Sequence, residues 1–246
     1  MPTDPDAHPR EGWAKPIRTL DTPAVHPGGA AINVSGRRPT SPIQGFGRMW
    51  QKTYRVRLVG ADVTVEGVIA VWKQQFGTFW PKGNRFFAPL AGIAPGEVAA
   101  LDLGMPGGLK LSTGVLVMYA DRESFTLMTP QGHMFAGWIT FSAYDDDDRV
   151  VCAQAQVLMR ASDPLYEVGM TIGGHTQEDR HWEHTLRQLA RHFGVDGEPS
   201  TESVCVDKRR QWSNATNVWH NAGIRSGLYL SQAPIRLIRR PFQRRG

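Results

Sequence analysis

Two side chains of this chain have the residue types and the strand positions that acid–base chemistry requires. His133 opens a segment of alternating apolar residues, and Tyr119 closes an earlier one. Each could therefore project into an interior where burial tunes a pKa, with Tyr119 or Glu178 as the partner of His133. His133 and Tyr119 are the candidate catalytic residues. The alternative is that His133 is a structural histidine at a strand end beside a glycine turn.

Other polar groups do not form a recognisable catalytic or metal-binding motif. His175, His181 and His184 are close in sequence, but they form no His-Glu-x-x-His pattern and have no carboxylates at ligand spacing. The run Asp145 to Asp148 lacks the glycine and the distal glutamate of a calcium loop, and reads as a solvated hairpin. No glycine-rich phosphate loop is followed by Lys-Ser/Thr. We expect no metal and no cofactor.

The elements that must position these residues follow from hydrophobic periodicity. Alternation predicts a strand at Tyr54 to Leu58, and then the period changes to that of a helix, which Asp62 or Thr64 caps and Trp80-Pro81 ends. Five further strands are predicted over 98–103, 109–120, 124–128, 133–144 and 150–160, with a turn over 105–108. A long helix is predicted from the capping box 176–179 to a stop at Gly194.

The alternation also predicts which side chains face one interior between the sheet and the long helix. Such an apolar lining with few polar groups suits an apolar or aromatic ligand. The other interpretation is that these side chains meet in a filled core, because packing requires the same alternation. The candidate ligand-binding residues are Val117, Tyr119, Phe135, Ile139, Phe141, Trp182, Leu186 and Leu189.

Two segments and the order of elements carry a family resemblance. Phe79-Trp80-Pro81 ends the first helix, and the segment 61–72 has a small residue, an acid at the helix cap and a Val-Trp pair. Over about residues 50–195 the chain resembles the START-like, polyketide-cyclase-like superfamily, also called SRPBCC. The resemblance implies an α+β helix-grip fold, in which a curved antiparallel sheet wraps around a long C-terminal helix and encloses an apolar cavity. Proteins of this fold bind lipids, sterols or polyketides, and a minority act on them.

Composition divides the 246 residues into one core domain with two appendages. Eight of the 17 prolines lie before residue 43, which predicts a disordered or loosely draped arm over 1–49. The helix-grip domain is predicted over 50–195 and a basic extension over 196–246. No apolar run is long enough to span a bilayer, and the acidic start lacks the pattern of a secretory signal. Together with two cysteines read as free thiols, this predicts a cytoplasmic protein.

The extension holds most of the net positive charge, with nine Lys and Arg against one Asp from residue 205 onward. Basic residues interspersed with tryptophan are typical of a segment that lies on an anionic membrane surface. Two alternatives remain: a helix folded back over the domain, and non-specific nucleic-acid binding, which we consider unlikely without a reading module. The candidate membrane-binding residues are Lys208, Arg209, Arg210, Trp212, Trp219, Arg236, Arg239 and Arg240.

These patterns combine into one expectation about function. The chain is expected to carry or sense a hydrophobic small molecule or a lipid, with its extension on an anionic membrane surface. A cavity enzyme resembling polyketide cyclases or dehydratases is the alternative. A third interpretation is a collapsed interior with an extension that recruits a partner.

Overall fold

A computed structural model describes residues 12–22, 33–105 and 110–231, without the side chains of 229–231. The strands are β1 (Met49–Arg57), β2 (Arg85–Phe87), β3 (Val98–Gly104), β4 (Lys110–Ala120), β5 (Ser124–Met128), β6 (Phe135–Asp145), β7 (Val151–Ala161) and β8 (Ser200–Asp207). The helices are α1 (Val65–Gln75), α2 (Pro164–Gly169), α3 (His175–His192) and α4 (Ala222–Ser231). Short 3-10 helices span Pro42–Gln44, Phe76–Phe79 and Trp212–His220.

The eight strands form one antiparallel sheet in the order β2-β3-β4-β5-β6-β7-β1-β8. Because side chains alternate along each strand, the sheet has one apolar inner face and one outer face. Helices α1 and α3 cover the inner face, and their apolar side chains join those of the sheet in one core. The predicted α+β helix-grip fold is confirmed by this topology. The predicted turn over 105–108 lies mostly outside the described residues.

Helix α1 forms where the helical period and the cap were predicted. Thr64 is the N-cap, and its hydroxyl accepts a hydrogen bond from the backbone N–H of Gly67 at 3.1 Å. The helix buries Val68, Ile69 and Trp72 against the sheet. The apolar side of this helix therefore joins the core on the inner face of the sheet.

The covering helix begins earlier than the capping box at 176–179 predicts. Asp163 caps α2, accepting hydrogen bonds from the backbone N–H groups of Leu165 and Tyr166, and Pro164 occupies the first turn. A π-helical turn at Met170–Gly174 then joins α2 to α3, with Gly173 at φ 138°. Because Gly173 is non-helical, α3 itself begins at His175, one residue before the predicted start at Thr176, and the element that the prediction missed is α2. The predicted stop is present, since Gly194 has φ 75°.

The sheet continues beyond the residue at which the domain was predicted to end. Strand β8 pairs with β1 over its length and forms one edge of the sheet. Arg160 of β7, 2% exposed, donates from Nη2 to Asp207 Oδ2 at 2.6 Å and from Nη1 to the carbonyl oxygen of Arg209 at 2.8 Å. The prediction that sheet and covering helix are complete by Gly194 is therefore wrong.

Apart from β8, described segments of the two appendages pack on the outer face of the sheet. Leu20 and Val34 are fully buried against β3 and β4, so this part of the N-terminal arm is draped over the sheet. Helix α4 packs on β4, where Asn33 Nδ2 donates to Ser226 Oγ at 2.9 Å and to the carbonyl oxygen of Ser112 at 2.7 Å. For the extension up to residue 231, the alternative of a segment folded back over the domain is the one observed.

Within the described ranges, no helix has the length and the apolar character that crossing a membrane would require.

Candidate functional site

Aromatic side chains fill the deep part of the space between α3 and the sheet. Phe141 stacks on Phe125 with ring centroids 4.7 Å apart, and its ring lies 4.9 Å from Phe76, 5.1 Å from Trp72 and 5.3 Å from Trp182. Four of the predicted ligand-binding residues, Val117, Phe141, Leu186 and Leu189, belong to this core and are essentially inaccessible to solvent. In this part of the interior, the filled-core interpretation describes the structure.

Three other predicted ligand-binding residues lie at the edge of this core. Phe135 and Ile139 of β6 and Trp182 of α3 pack against the core but are only half-buried. They share the inner face with buried Phe141, so solvent reaches the inner face beside α3. Gln177 of α3 donates from Nε2 to the carbonyl oxygen of Gly104 at the end of β3, at 3.4 Å. We call the half-buried side chains Phe135, Ile139 and Trp182 the mouth.

Near the start of α3, a buried polar cluster adjoins the core. Lys52 of β1 is 1% exposed, and its Nζ lies 2.7 Å from Asp179 Oδ1 and 3.0 Å from Glu178 Oε2. Tyr54, two residues along the same inner face, donates its hydroxyl to Asp179 Oδ1 at 2.7 Å. Two carboxylates of α3 thus share one cation of the sheet, which joins the helix to β1 by charge as well as by packing.

Burial shifts the titration of this polar cluster. Desolvation raises the pKa of Glu178 to about 7 and outweighs the opposing effect of Lys52. Desolvation, aided by the charge of Lys52, lowers the pKa of His175 to about 4. The His175 ring lies 4.8 Å from that of Trp50, and its Nδ1 has no hydrogen-bond partner among the described residues. The site therefore holds a carboxyl group that can exchange a proton near neutral pH.

Two indole groups add hydrogen-bond donors to the interior. The Nε1 atoms of Trp72 and Trp80 are buried, and neither has a hydrogen-bond partner within the part of the chain that the structure describes. The Trp80 ring lies 5.0 Å from that of His181, whose pKa burial lowers to about 4. A buried donor without an acceptor is unfavourable, so a ligand or water oxygen at either indole would stabilise the interior.

Tyr119, predicted both as a catalytic and as a ligand-binding residue, lies on the wrong face for either role. The β4–β5 register shifts between Val117 and Tyr119, so Tyr119 pairs with Thr126 on the outer face. Its ring packs against Trp13 at 4.8 Å, and its hydroxyl donates to Asp121. The prediction is wrong because this irregularity reverses the alternation.

His133 is buried at the start of β6, but Tyr119 is not its partner. Its Nδ1 accepts a hydrogen bond from the backbone N–H of Phe135 at 3.0 Å, and burial lowers its pKa to about 4. A neutral imidazole with its acceptor engaged in the local turn matches the structural interpretation of this histidine. The predicted catalytic pair is therefore not assembled.

Of the candidate membrane-binding residues that the structure describes, two arginines form ion pairs within the chain and the others are exposed. Arg209 pairs with Asp207, and Arg210 Nε lies 3.0 Å from Glu167 Oε1. Trp212 packs its ring edge-on against Phe46 at 5.1 Å while 73% of its side chain stays exposed, and Trp219 is 80% exposed. Lys208 is exposed. Arg236, Arg239 and Arg240 lie outside the described residues.

Two surface grooves lie away from the space between α3 and the sheet. One groove of about 430 Å³ lies along α1, and another of about 450 Å³ lies beside the hairpin loop at Asp146. Among the described residues, no three His, Cys, Asp or Glu side chains come together in a way that could hold a metal ion.

Comparison with known proteins gives similarity to solved structures only. No family model matches this chain, and neither does any curated protein. A START superfamily protein from Mycobacterium smegmatis is 20% identical, with 59% of this chain and 99% of that chain covered and a TM-score of 0.41. The di-domain ARO/CYC StfQ from the steffimycin biosynthetic pathway is 12% identical, covering 60% of this chain and 53% of that one, at a TM-score of 0.46. Ara h 8.0201 is 9% identical, with 59% of this chain and 97% of that chain covered and a TM-score of 0.42.

Proposed function

We propose that this protein binds a largely apolar small molecule or lipid at the mouth between α3 and the sheet. The observation that supports this proposal most is the half-burial of Phe135, Ile139 and Trp182 beside the buried core that Phe141 anchors on the same face. When a ligand covers apolar surface that solvent reaches in a concave fold, that surface leaves water and binding is favoured. A carrier or a sensor needs such a binding surface, and it does not need catalytic residues.

Polar groups near the mouth would orient such a ligand. Glu178 lies one helical turn before Trp182 on the same stripe of α3, and its carboxyl group titrates near neutral pH. The indole N–H groups of Trp72 and Trp80 lie deeper, and neither has an acceptor among the residues that the structure describes. A ligand with an apolar body and an oxygen-bearing end fits these groups, since the donors are buried and the apolar surface is accessible.

The binding of a neutral apolar dye tests this proposal. We expect Nile red to bind the full chain and to bind at least about tenfold more weakly after Ile139→Trp, which fills the mouth. Ile43→Trp is the matched control, because Ile43 is 74% exposed on the short helix Pro42–Gln44, which lies next to outer-face Ala136 and so on the side of β6 opposite the mouth. Equal dye affinity in both variants would place the dye elsewhere and contradict the proposal.

A second proposed role is association with an anionic membrane surface. Its support is a set of exposed apolar side chains on the extension, Trp219, Ile224 and Leu228, at 80%, 45% and 58% exposure. Free Cys152 and Cys205 fit a reducing compartment, so we propose that the protein acts in the cytoplasm and docks on membranes there. Trp219→Ser should weaken co-sedimentation with phosphatidylserine vesicles, whereas Leu90→Ser, at a still more exposed site in a loop, should not. Equal loss in both variants would contradict this role.

A further inference from the structure

Four basic side chains from three separate segments converge on the outer face of the sheet. Arg37 Nη1 lies 3.0 Å from His220 Nδ1, and Arg37 is close enough to Arg225 for their charges to interact. Arg38 and Arg225 both act on the charge of His220. We call this set the outer cation cluster: Arg37, Arg38, His220 and Arg225.

Main-chain hydrogen bonds hold these residues in place. The carbonyl oxygen of Arg37 accepts from the N–H of Leu20 at 2.7 Å, and that of Arg38 accepts from the N–H of Gln131 at 2.9 Å. Ala222, two residues after His220, donates its N–H to the carbonyl oxygen of Gly132 at 2.9 Å. Because the main chain is fixed at each segment, the cations are brought together by the fold itself.

The cluster lacks a matching negative charge for its two loop arginines. Neither Arg37 nor Arg38 forms an ion pair with any carboxylate in the part of the chain that the structure describes. The carboxylate of Asp163 accepts from the Nδ2 of Asn221, the residue after His220, at 2.8 Å. It also caps α2, so its oxygens are already engaged. Burial and the mutual repulsion of the cations lower the pKa values of Arg37 and His220. An added anion would relieve this repulsion.

The hydrogen-bonding capacity of the cluster indicates the kind of anion. A guanidinium has only donors, so His220 Nδ1 must accept from Arg37, and the neutral ring then carries its proton on Nε2. Guanidinium groups bind phosphate oxygens in paired hydrogen bonds, and the two positive charges of Arg37 and Arg38 match the two negative charges of a phosphate monoester, whereas a carboxylate would balance only one of them.

We propose that the outer cation cluster is a binding site for a phosphate monoester group. The group could belong to a free phosphate compound or to an anionic lipid headgroup, since the recognising chemistry is the same. The site lies on the outer face of the sheet, so it does not rest on ligand binding at the mouth.

Calorimetric titration of the full chain with inorganic phosphate tests the site. Arg38→Gln removes an exposed side chain and leaves its main-chain hydrogen bond intact, and we expect it to weaken phosphate binding by about fivefold to tenfold. Arg149→Gln changes the charge equally on the distant β6–β7 loop, where Arg149 is also exposed, and should leave the affinity unchanged. Unchanged melting temperatures would confirm that both variants fold. Phosphate affinities that are equal in the two variants, or no phosphate binding by the unmodified chain, would overturn the proposal.

Vesicles of phosphatidylcholine with and without phosphatidic acid then distinguish the two sources. If the site takes a lipid headgroup, Arg38→Gln but not Arg149→Gln weakens binding to the phosphatidic acid vesicles, and glycerol 3-phosphate competes. If it takes a free phosphate compound, both variants bind these vesicles as the unmodified chain does, while Arg38→Gln alone loses phosphate affinity. Failure of Nile red to bind the mouth would leave either result intact.

Discussion

Lys52 Nζ lies 3.0 Å from Glu178 Oε2, and these side chains are 1% and 5% exposed. The amino group of a sheet lysine and the carboxyl group of a helix glutamate therefore face each other where water hardly reaches, and they form an ion pair above the Glu178 pKa of about 7, as at the pH 8 of this test. Removal of one member of a buried ion pair costs about 3–5 kcal/mol, because the other charge is left uncompensated. Lys52→Met should lower the free energy of unfolding in urea by about this amount.

The double variant Lys52→Met/Glu178→Gln is the control for that substitution. It removes both charges of the pair, while Asp179, 30% exposed, keeps access to water. We expect it to recover at least half of the stability that Lys52→Met loses. A single variant as stable as the unmodified chain would show that this pair contributes little.

Glu178 should make stability fall as the pH rises toward neutrality. Its pKa in the folded chain is about 7 against an ordinary 4.5, so between these values the folded state binds more protons than the unfolded state. Its contribution is fully present below the lower value and is lost as the pH rises through about 7. The unfolding free energy of Glu178→Gln minus that of the unmodified chain should therefore rise by about 2–3 kcal/mol from pH 5 to pH 8. Parallel pH profiles of unfolding in urea for the two proteins would contradict this.

His133 should act in the opposite direction and over a lower pH range. Burial lowers its pKa from 6.5 to about 4, so in this window the unfolded state binds more protons than the folded state. Its stabilising effect is present above pH 6.5 and is lost as the pH falls toward 4. His133→Asn retains a hydrogen-bond acceptor for Phe135 but cannot titrate. Between pH 6.5 and pH 4.5, the unfolding free energy of this variant should therefore fall by about 2 kcal/mol less than that of the unmodified chain. Thermal melts at pH 6.5 and pH 4.5 would measure the difference, and an unchanged slope would exclude His133 as the titrating group.

The part of the extension that contains β8 and α4 should be needed for the domain to fold, whereas the residues after 231 should not. Truncation after residue 195 removes β8 and takes two of the three acceptors of buried Arg160, leaving only the carbonyl oxygen of Gly47. We expect this chain to lose its cooperative thermal transition, whereas a chain truncated after residue 231 should keep it. Circular dichroism melts would compare them. A cooperative transition in the shorter chain would show that the sheet is stable without β8.

The order of elements could be predicted from periodicity, because apolar alternation and the Thr64 cap are local signals. Two features that define the site are not local. Tyr119 leaves the inner face because of a shift between β4 and β5, which no pattern within β4 indicates. Lys52 was overlooked although it lies in phase with inner-face Tyr54, since its carboxylate partners are more than a hundred residues away.

The remaining two differences had sequence signals of moderate strength. Asp163-Pro164 is a good helix start, but Gly173-Gly174 favoured a break before the long helix. Strand β8 follows a glycine stop and is an exposed edge strand whose apolar residues are few, so its alternation is weak. Its place beside β1 depends on long-range pairing and on the Arg160–Asp207 ion pair.

Where an apolar ligand contacts the protein is the most direct test of the central claim. Isoleucine methyl groups of the full chain, labelled with carbon-13, report this in nuclear Overhauser spectra recorded with 1-dodecanol. Ile139 lies at the mouth, whereas Ile43 and Ile172 are 74% and 80% exposed elsewhere and serve as internal controls. We predict intermolecular signals from dodecanol to the Ile139 methyl group and none to Ile43 or Ile172. Signals confined to the exposed isoleucines, with none at Ile139, would contradict binding between the helix and the sheet.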